Sequence, residues 1–247
     1  MKLTLAEPKY LKESISIISE LVNEAKFKIN KEGIELVAMD PANVAMVIFK
    51  LFASSFVEYE VTDEARLSLN LNNLKQVMRR AKPNDMVTLE LNDNKLNIIL
   101  KSKTKRTFSL PIIDAEQKEQ KIPDLNFPLT ITTNSDQLLE AIEDVDIIGE
   151  SVSFLGEKDK FTIVAEGDMS KVHIEILSDD TTTITMTVGE KVKARYSVEY
   201  LKKMIAAGKL VPTVSIYFNK DYPVKLEYKT VDRLLMTFIL APRVEND

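Results

Sequence analysis

Carboxylates and amines are the only groups in this sequence spaced regularly enough to suggest chemistry. Asp136, Glu140 and Asp144 fall at i, i+4 and i+8, with Glu143 and Asp146 beside them. A helix carries the first three as one stripe. Carboxylates can hold the two close divalent ions of a hydrolase, but a stripe spreads its ligands along a surface and makes a poor cage. The stripe therefore reads as a solvated face or a charge-matched protein interface, with a metal-dependent nuclease as the alternative it serves badly. The single histidine, His173, lies in the strand-like run Val172-His173-Ile174-Glu175-Ile176. Without local partners it is assigned no acid-base or metal role. No Gly-rich phosphate loop, paired histidines or nucleophile elbow occurs. No catalytic residue, metal site or cofactor is expected.

Cations gather in other places: Lys9 and Lys12, then Lys75, Arg79, Arg80 and Lys82, then Lys202, Lys203 and Lys209. All lie on or just after segments of helical spacing, although the chain carries a net charge of −5. A basic helical layer on an acidic protein suits non-specific contact with phosphates. No aromatic residues are interleaved with these cations, which favours a duplex gripped by its backbone over a single strand stacked on rings.

Four helical segments must position these groups. The first runs from about Pro8 to Ala25, with Leu11, Ile15, Ile18, Val22 and Ala25 on one stripe. The second, about Asn72 to Ala81, buries Leu74, Val77, Met78 and Ala81 and stops before Pro83. The third, Ser135 to about Ile148, buries Leu138, Ala141, Ile142 and Val145, and the fourth follows Ser197 as its cap with Leu201, Met204 and Ile205. Elsewhere the chain alternates, as in Lys26 to Asn30 and Met86 to Leu91, with turns at Lys31-Glu32-Gly33 and Asn92-Asp93-Asn94. The class is α+β, with helices on one face of antiparallel sheet.

The pattern occurs twice. Asn23 to Phe27 leading into Leu36 to Asp40 is echoed by Gly149 to Phe154 leading into Thr162 to Glu166, roughly 126 residues later. Leu69 to Met78 is echoed by Tyr196 to Ile205 in the same way. Two similar domains account for 247 residues, 1–113 and 125–247, joined by a polar connector at 114–124 that includes Pro123. The absence of cysteine and of any apolar run of signal or membrane length leads us to expect a cytoplasmic, non-membrane protein.

Leu36-Val37-Ala38-Met39-Asp40-Pro41-Ala42-Asn43-Val44 closely resembles the sliding clamps of the proliferating cell nuclear antigen family. So do Arg106-Thr107-Phe108, Ile122-Pro123, Leu226-Glu227-Tyr228 and Leu240-Ala241-Pro242-Arg243-Val244-Glu245. The resemblance is collinear over essentially the whole chain, and Arg106 to Pro111 looks archaeal. It implies two-domain subunits in a homotrimeric ring around duplex DNA, helices lining the hole and sheets forming the wall. It implies no enzymatic activity, but tethering of DNA polymerase, flap endonuclease and DNA ligase through short hydrophobic peptides, with a clamp loader as a further partner. A nucleoid location follows, or a nuclear one if the source is eukaryotic. The alternative within the family is a subunit of a heterotrimeric or checkpoint-type clamp.

Carried over by position, the resemblance implies a peptide pocket of Met39, Val44, Met46, Ile122, Pro223, Ile239, Ala241 and Pro242. Ile239 stands where many relatives have an aromatic residue. DNA-facing positions are Lys9, Lys12, Lys75, Arg79, Lys202, Lys203 and Lys209. Many clamps carry basic residues where this chain has its acidic third helix. Asp136, Glu140 and Asp144 are therefore expected to meet Arg80, Lys82 and Arg106 of a neighbouring subunit. The strand pair closing that interface is expected to join Thr107, Phe108, Ser109 and Leu110 to Val172, His173, Ile174, Glu175 and Ile176, with His173 at the seam.

Overall fold

A computed structural model describes residues 1–113 and 120–244. Residues 114–119 of the expected connector, and Glu245 of the C-terminal run, lie outside the described residues. The chain divides into two compact units, residues 1–41, 47–122 and 230–236 in the first and 42–46, 123–229 and 237–247 in the second.

The first unit contains β1 (Lys2–Leu5), α1 (Lys9–Ile18), β2 (Glu24–Asn30), β3 (Gly33–Met39), most of β4 (Ala45–Phe52), β5 (Glu58–Glu60), β6 (Ala65–Asn70), α2 (Leu71–Arg79), β7 (Met86–Asn92), β8 (Lys95–Lys101) and β9 (Lys105–Pro111). One sheet has the order β5-β1-β7-β8-β9, and a second run of strands has the order β4-β3-β2-β6. Both turns expected from the sequence are present. Asn30 Oδ1 accepts from the amides of Glu32 and Gly33, and Asp93 adopts the left-handed backbone, φ 49°, between β7 and β8. Helix α1 lies beside α2, and α2 touches strands of both sheets.

Helix α1 is shorter than its apolar spacing suggests. It ends at Ile18, and amides of Glu20 and Leu21 close a tighter turn on Ile17 and Ile18. Ala25, which extends the helical stripe on paper, is instead the first inward residue of β2, followed by Phe27 and Ile29. Two periods overlap at one apolar residue. Helix α2 begins one residue earlier than expected and is capped by Asn70, whose Oδ1 accepts from the Asn73 amide at 3.0 Å.

The second unit contains β10 (Leu129–Asn134), α3 (Ser135–Asp146), β11 (Ser151–Gly156), β12 (Lys160–Glu166), β13 (Lys171–Leu177), β14 (Thr183–Met186), β15 (Val192–Ser197), α4 (Val198–Ile205), β16 (Thr213–Phe218), β17 (Val224–Thr230) and β18 (Leu234–Leu240), whose first residues belong to the first unit. Its strand orders are β13-β12-β11-β15 and β14-β10-β16-β17-β18, all antiparallel where paired within the unit. Leu138, Ala141, Ile142 and Val145 of α3 and Leu201, Met204 and Ile205 of α4 are buried as their spacing requires. Each fully buried aliphatic side chain of this size contributes about 1.5–3 kcal/mol. Edge-to-face contacts join Phe154 to Phe161 and Tyr196 at 5.2 and 5.3 Å between ring centres. Ser197 occupies the N-cap position of α4, but its side chain makes no capping bond. The expected hydroxyl cap is absent, and the buried Val198 amide donates to Glu150 O instead.

Candidate functional site

In the first unit, Lys9 and Lys12 on α1 and Lys75 and Arg79 on α2 belong to one pair of adjacent helices. Lys75 Nζ is paired with Glu20, and Lys12 Nζ donates to Ala81 O at 3.0 Å, where the carbonyls ending α2 attract a cation. In the second unit, Lys202 and Lys203 stand on α4 and Lys209 ends the 3-10 turn Ala206–Lys209. Lys202 reaches Asp146 of α3 at 2.6 Å, and Lys203 reaches Glu199 at 2.8 Å. Among the described residues, Lys9, Arg79 and Lys209 have no ion-pair partner. An anion arriving at the other four would first have to displace a carboxylate, or at Lys12 a carbonyl, at a cost of a fraction of a kcal/mol for each exposed pair.

The edge strands carry the groups expected at a subunit seam. β9 ends the five-stranded order and β13 ends the four-stranded one, so each has one unpaired side. On β9, Phe108 and Leu110 are half-buried and line an open hollow of about 460 Å³ with Asn73, Gln76, Val77 and Arg80. On β13, Val172 and Ile174 are half-buried, Ile176 is buried, and His173 and Glu175 face solvent. Glu175 accepts from Lys160 Nζ at 2.8 Å and lies 3.2 Å from His173 Nε2. These partners, Lys160 foremost, hold its carboxyl below the usual range. Asp136, Glu140 and Asp144 are all exposed on α3. Among the described residues no group of three or more acidic or histidine side chains is arranged to hold a metal ion.

Arg106, expected at the ionic seam, already has partners within its own unit. Its guanidinium donates to Asp85 Oδ2 at 2.5 Å and to Arg80 O at 3.1 Å, and the Asp85 side chain is fully buried. Arg106 thus ties β9 to the turn after α2 within its own unit, which leaves Arg80 and Lys82 as the exposed cations there. The Lys82 amide foremost, with Arg106 contributing, holds the Asp85 carboxyl below its ordinary value against the upward push of burial. A depressed folded value stabilises above the unfolded aspartate value of about 4 and loses that effect as pH falls through the folded one. Asp85→Asn is therefore expected to melt at a lower temperature than the parent at pH 7. The gap should close as the pH drops below about 4, as thermal scans across that range will show.

The positions expected to bind peptides fall into reachable and buried sets. In the second unit, Val44, Pro223, Ala241 and Pro242 are half-buried, and the Ala241 amide donates to Val44 O at 2.9 Å. Met46 and Ile239 are buried, at 3% and 7% exposure, in stretches of β4 and β18 where successive residues are buried on both faces. In the first unit, Ile122 is exposed and Met39 is half-buried beside a hollow of about 400 Å³. Residue spacing alone missed two further features of the second unit. Phe127 packs on Tyr217 and Tyr222 with both ring centres 5.8 Å away, and Lys225 Nζ lies 3.9 Å over Tyr217. Lys193, Arg195, Lys220 and Arg243 surround a hollow in this unit. Neither is a run in sequence; each is assembled from separate elements, so no local signal marks it.

Comparison with known proteins places this geometry. Residues 1–120 match the family described as proliferating cell nuclear antigen, N-terminal domain, and residues 121–243 match its C-terminal domain. The chain is 34% identical over 247 residues to the DNA polymerase sliding clamp of Nanoarchaeum equitans, covering 98% of this chain and 99% of that protein. It is 33% identical over 233 residues to the DNA polymerase sliding clamp of Pyrococcus furiosus, covering 94% of each. A crystal structure of PCNA from Thermococcus kodakaraensis superposes with a TM-score of 0.91 at 28% identity, covering 98% of this chain and 99% of that one.

Proposed function

Because this chain belongs to the proliferating cell nuclear antigen family, we propose that it is a DNA sliding clamp, a ring that encircles duplex DNA and confers processivity on DNA polymerase. The observation that carries this reading is the collinear match of both units, in sequence and in fold, to archaeal clamps over almost the whole chain. The ring acts by enclosure and not by catalysis. Enclosure keeps a tethered enzyme at high effective concentration, so weak and mobile phosphate contacts suffice and sliding is not arrested. Copies of this chain close the ring through β9 and β13, with Phe108, Leu110, Val172 and Ile174 inside the seam. Asp136, Glu140 and Asp144 face Arg80 and Lys82 across it. Polymerase, flap endonuclease, ligase and loader dock by short hydrophobic peptides on the surface that includes Val44, Pro223, Ala241 and Pro242.

The decisive experiment loads the protein on nicked circular DNA and then linearises it. A clamp stays on the circle and runs off the linear molecule; equal retention on both would refute enclosure. A monomeric mass at every concentration would instead point to a mixed ring needing companion chains. Replacing Lys9, Arg79 and Lys209 together with glutamate is expected to weaken DNA association. Each cation that touched a phosphate should lower the slope of log affinity against log salt by about 1. An unchanged slope in an anisotropy titration would remove these residues from the DNA face.

A further inference from the structure

The hollow in the second unit is basic in a chain that is acidic overall. Lys193 and Arg195 of β15, Lys220 and Asp221 of the turn between β16 and β17, and Arg243 beyond β18 surround about 160 Å³ together with Ala194. The main chain holds its walls together. The Asp221 amide donates to Lys193 O at 3.1 Å and the Arg243 amide to Arg195 O at 2.7 Å. The buried Tyr196 hydroxyl donates to Tyr222 O at 2.7 Å, which pins the turn to β15. The Arg243 guanidinium donates to Ser151 Oγ at 2.7 Å, and Asp221 takes the left-handed backbone, φ 47°, that the tight turn needs. Four cations are thus displayed on a framework that is ordered before anything binds, which lowers the entropic cost of recognition.

We propose that this hollow is an acidic-peptide subsite, and that it selects docking partners carrying glutamate or aspartate beside their hydrophobic motif. The proposal rests on the reading of Pro223, Ala241 and Pro242 as peptide contacts. Pro223 closely follows Lys220 and Asp221 in the chain, and Ala241 and Pro242 immediately precede Arg243. The same two segments therefore build the apolar surface and the basic rim, and one extended peptide spans both. Duplex DNA fits less well. The cations assigned to DNA stand on helices, whereas Lys193 and Arg195 project from the solvent side of β15, opposite buried Ala194 and Tyr196.

The test is fluorescence anisotropy with short synthetic peptides that share one aliphatic and aromatic motif and differ only in their flanks, Glu-Glu-Asp, Gln-Gln-Asn or Lys-Lys-Arg. At low salt the acidic flank is expected to bind about three- to tenfold tighter than the neutral one, and the basic flank more weakly. The preference should fade as salt rises. Lys193→Glu with Lys220→Glu should abolish it while leaving neutral-flank affinity unchanged. Equal binding of acidic and neutral flanks overturns the subsite but not the peptide surface, whereas no binding of the neutral peptide overturns the surface itself. A double variant that keeps the acidic preference and instead loses retention on circular DNA would assign the rim to nucleic acid and reject the proposal.

Discussion

Replacing Phe108 with aspartate is expected to leave a folded chain that no longer forms a ring. Phe108 is half-buried on the edge strand β9, beside an open hollow it shares with Val77 and Leu110. The isolated chain can hold a carboxylate there in contact with water, so its circular dichroism should not change. In a closed seam the same carboxylate would be stripped of water, and Arg80, which lines that hollow, is already matched to the acidic helix in the proposed ring, so the cost is several kcal/mol. Each 1.4 kcal/mol is about a tenfold loss of affinity. Light scattering near micromolar concentration should give the mass of one chain for Phe108→Asp where the parent gives three. A trimeric mass for the variant would remove β9 from the seam. Glu140→Lys is the weaker companion. An exposed ion pair is worth only about 0.2–1 kcal/mol, so this change should loosen the ring in a salt-dependent way without abolishing it.

The second large effect is expected at the proposed peptide surface. Ala241→Gln with Pro242→Gln puts amide groups on the half-buried apolar surface beside Val44 and retains the Ala241 amide that bonds Val44 O. Central contacts of such surfaces typically carry about 2 kcal/mol or more, so peptide affinity should fall roughly thirtyfold. Polymerase stimulation should fall with it while ring mass and DNA retention stay at parental levels. Loss of mass and of peptide binding together would indicate misfolding, and a separate change at Val44 would then be needed to probe the surface. Unchanged peptide affinity in a trimeric variant would place the docking surface elsewhere.

These positions were legible in the sequence to different degrees. Helices α2, α3 and α4 followed directly from their apolar stripes, since one period of 3.6 residues dominated each window. The end of α1 did not, because Ala25 satisfies a helical and a strand period at once and only β2 pairing with β6 decides between them. The side-chain types near the C-terminus were readable, but not their depth. Met46 and Ile239 are apolar like half-buried Val44 and Ala241, and spacing alone gives no sign that β4 and β18 are buried on both faces there. Arg106 looked like a surface cation because its partner, Asp85, is distant in sequence and lies in a turn with no periodicity of its own. The basic hollow was hidden for the same reason, being drawn from a strand, a turn and a terminal segment.

In the proposed ring, β9 and β13, two of the strands that end the sheets, tie the protein's survival to its abundance. If the proposed seam forms, each of these two edges is covered by the other above the concentration at which copies meet, and both strands are closed to attack. Below it, each newly made chain offers two strips of free main chain to proteases and to non-native pairing. Assembly stabilises by mass action, so turnover per molecule should fall as the pool of subunits grows. A cell that makes too little of this clamp would lose a larger fraction of it, and supply of rings would then respond more steeply than synthesis.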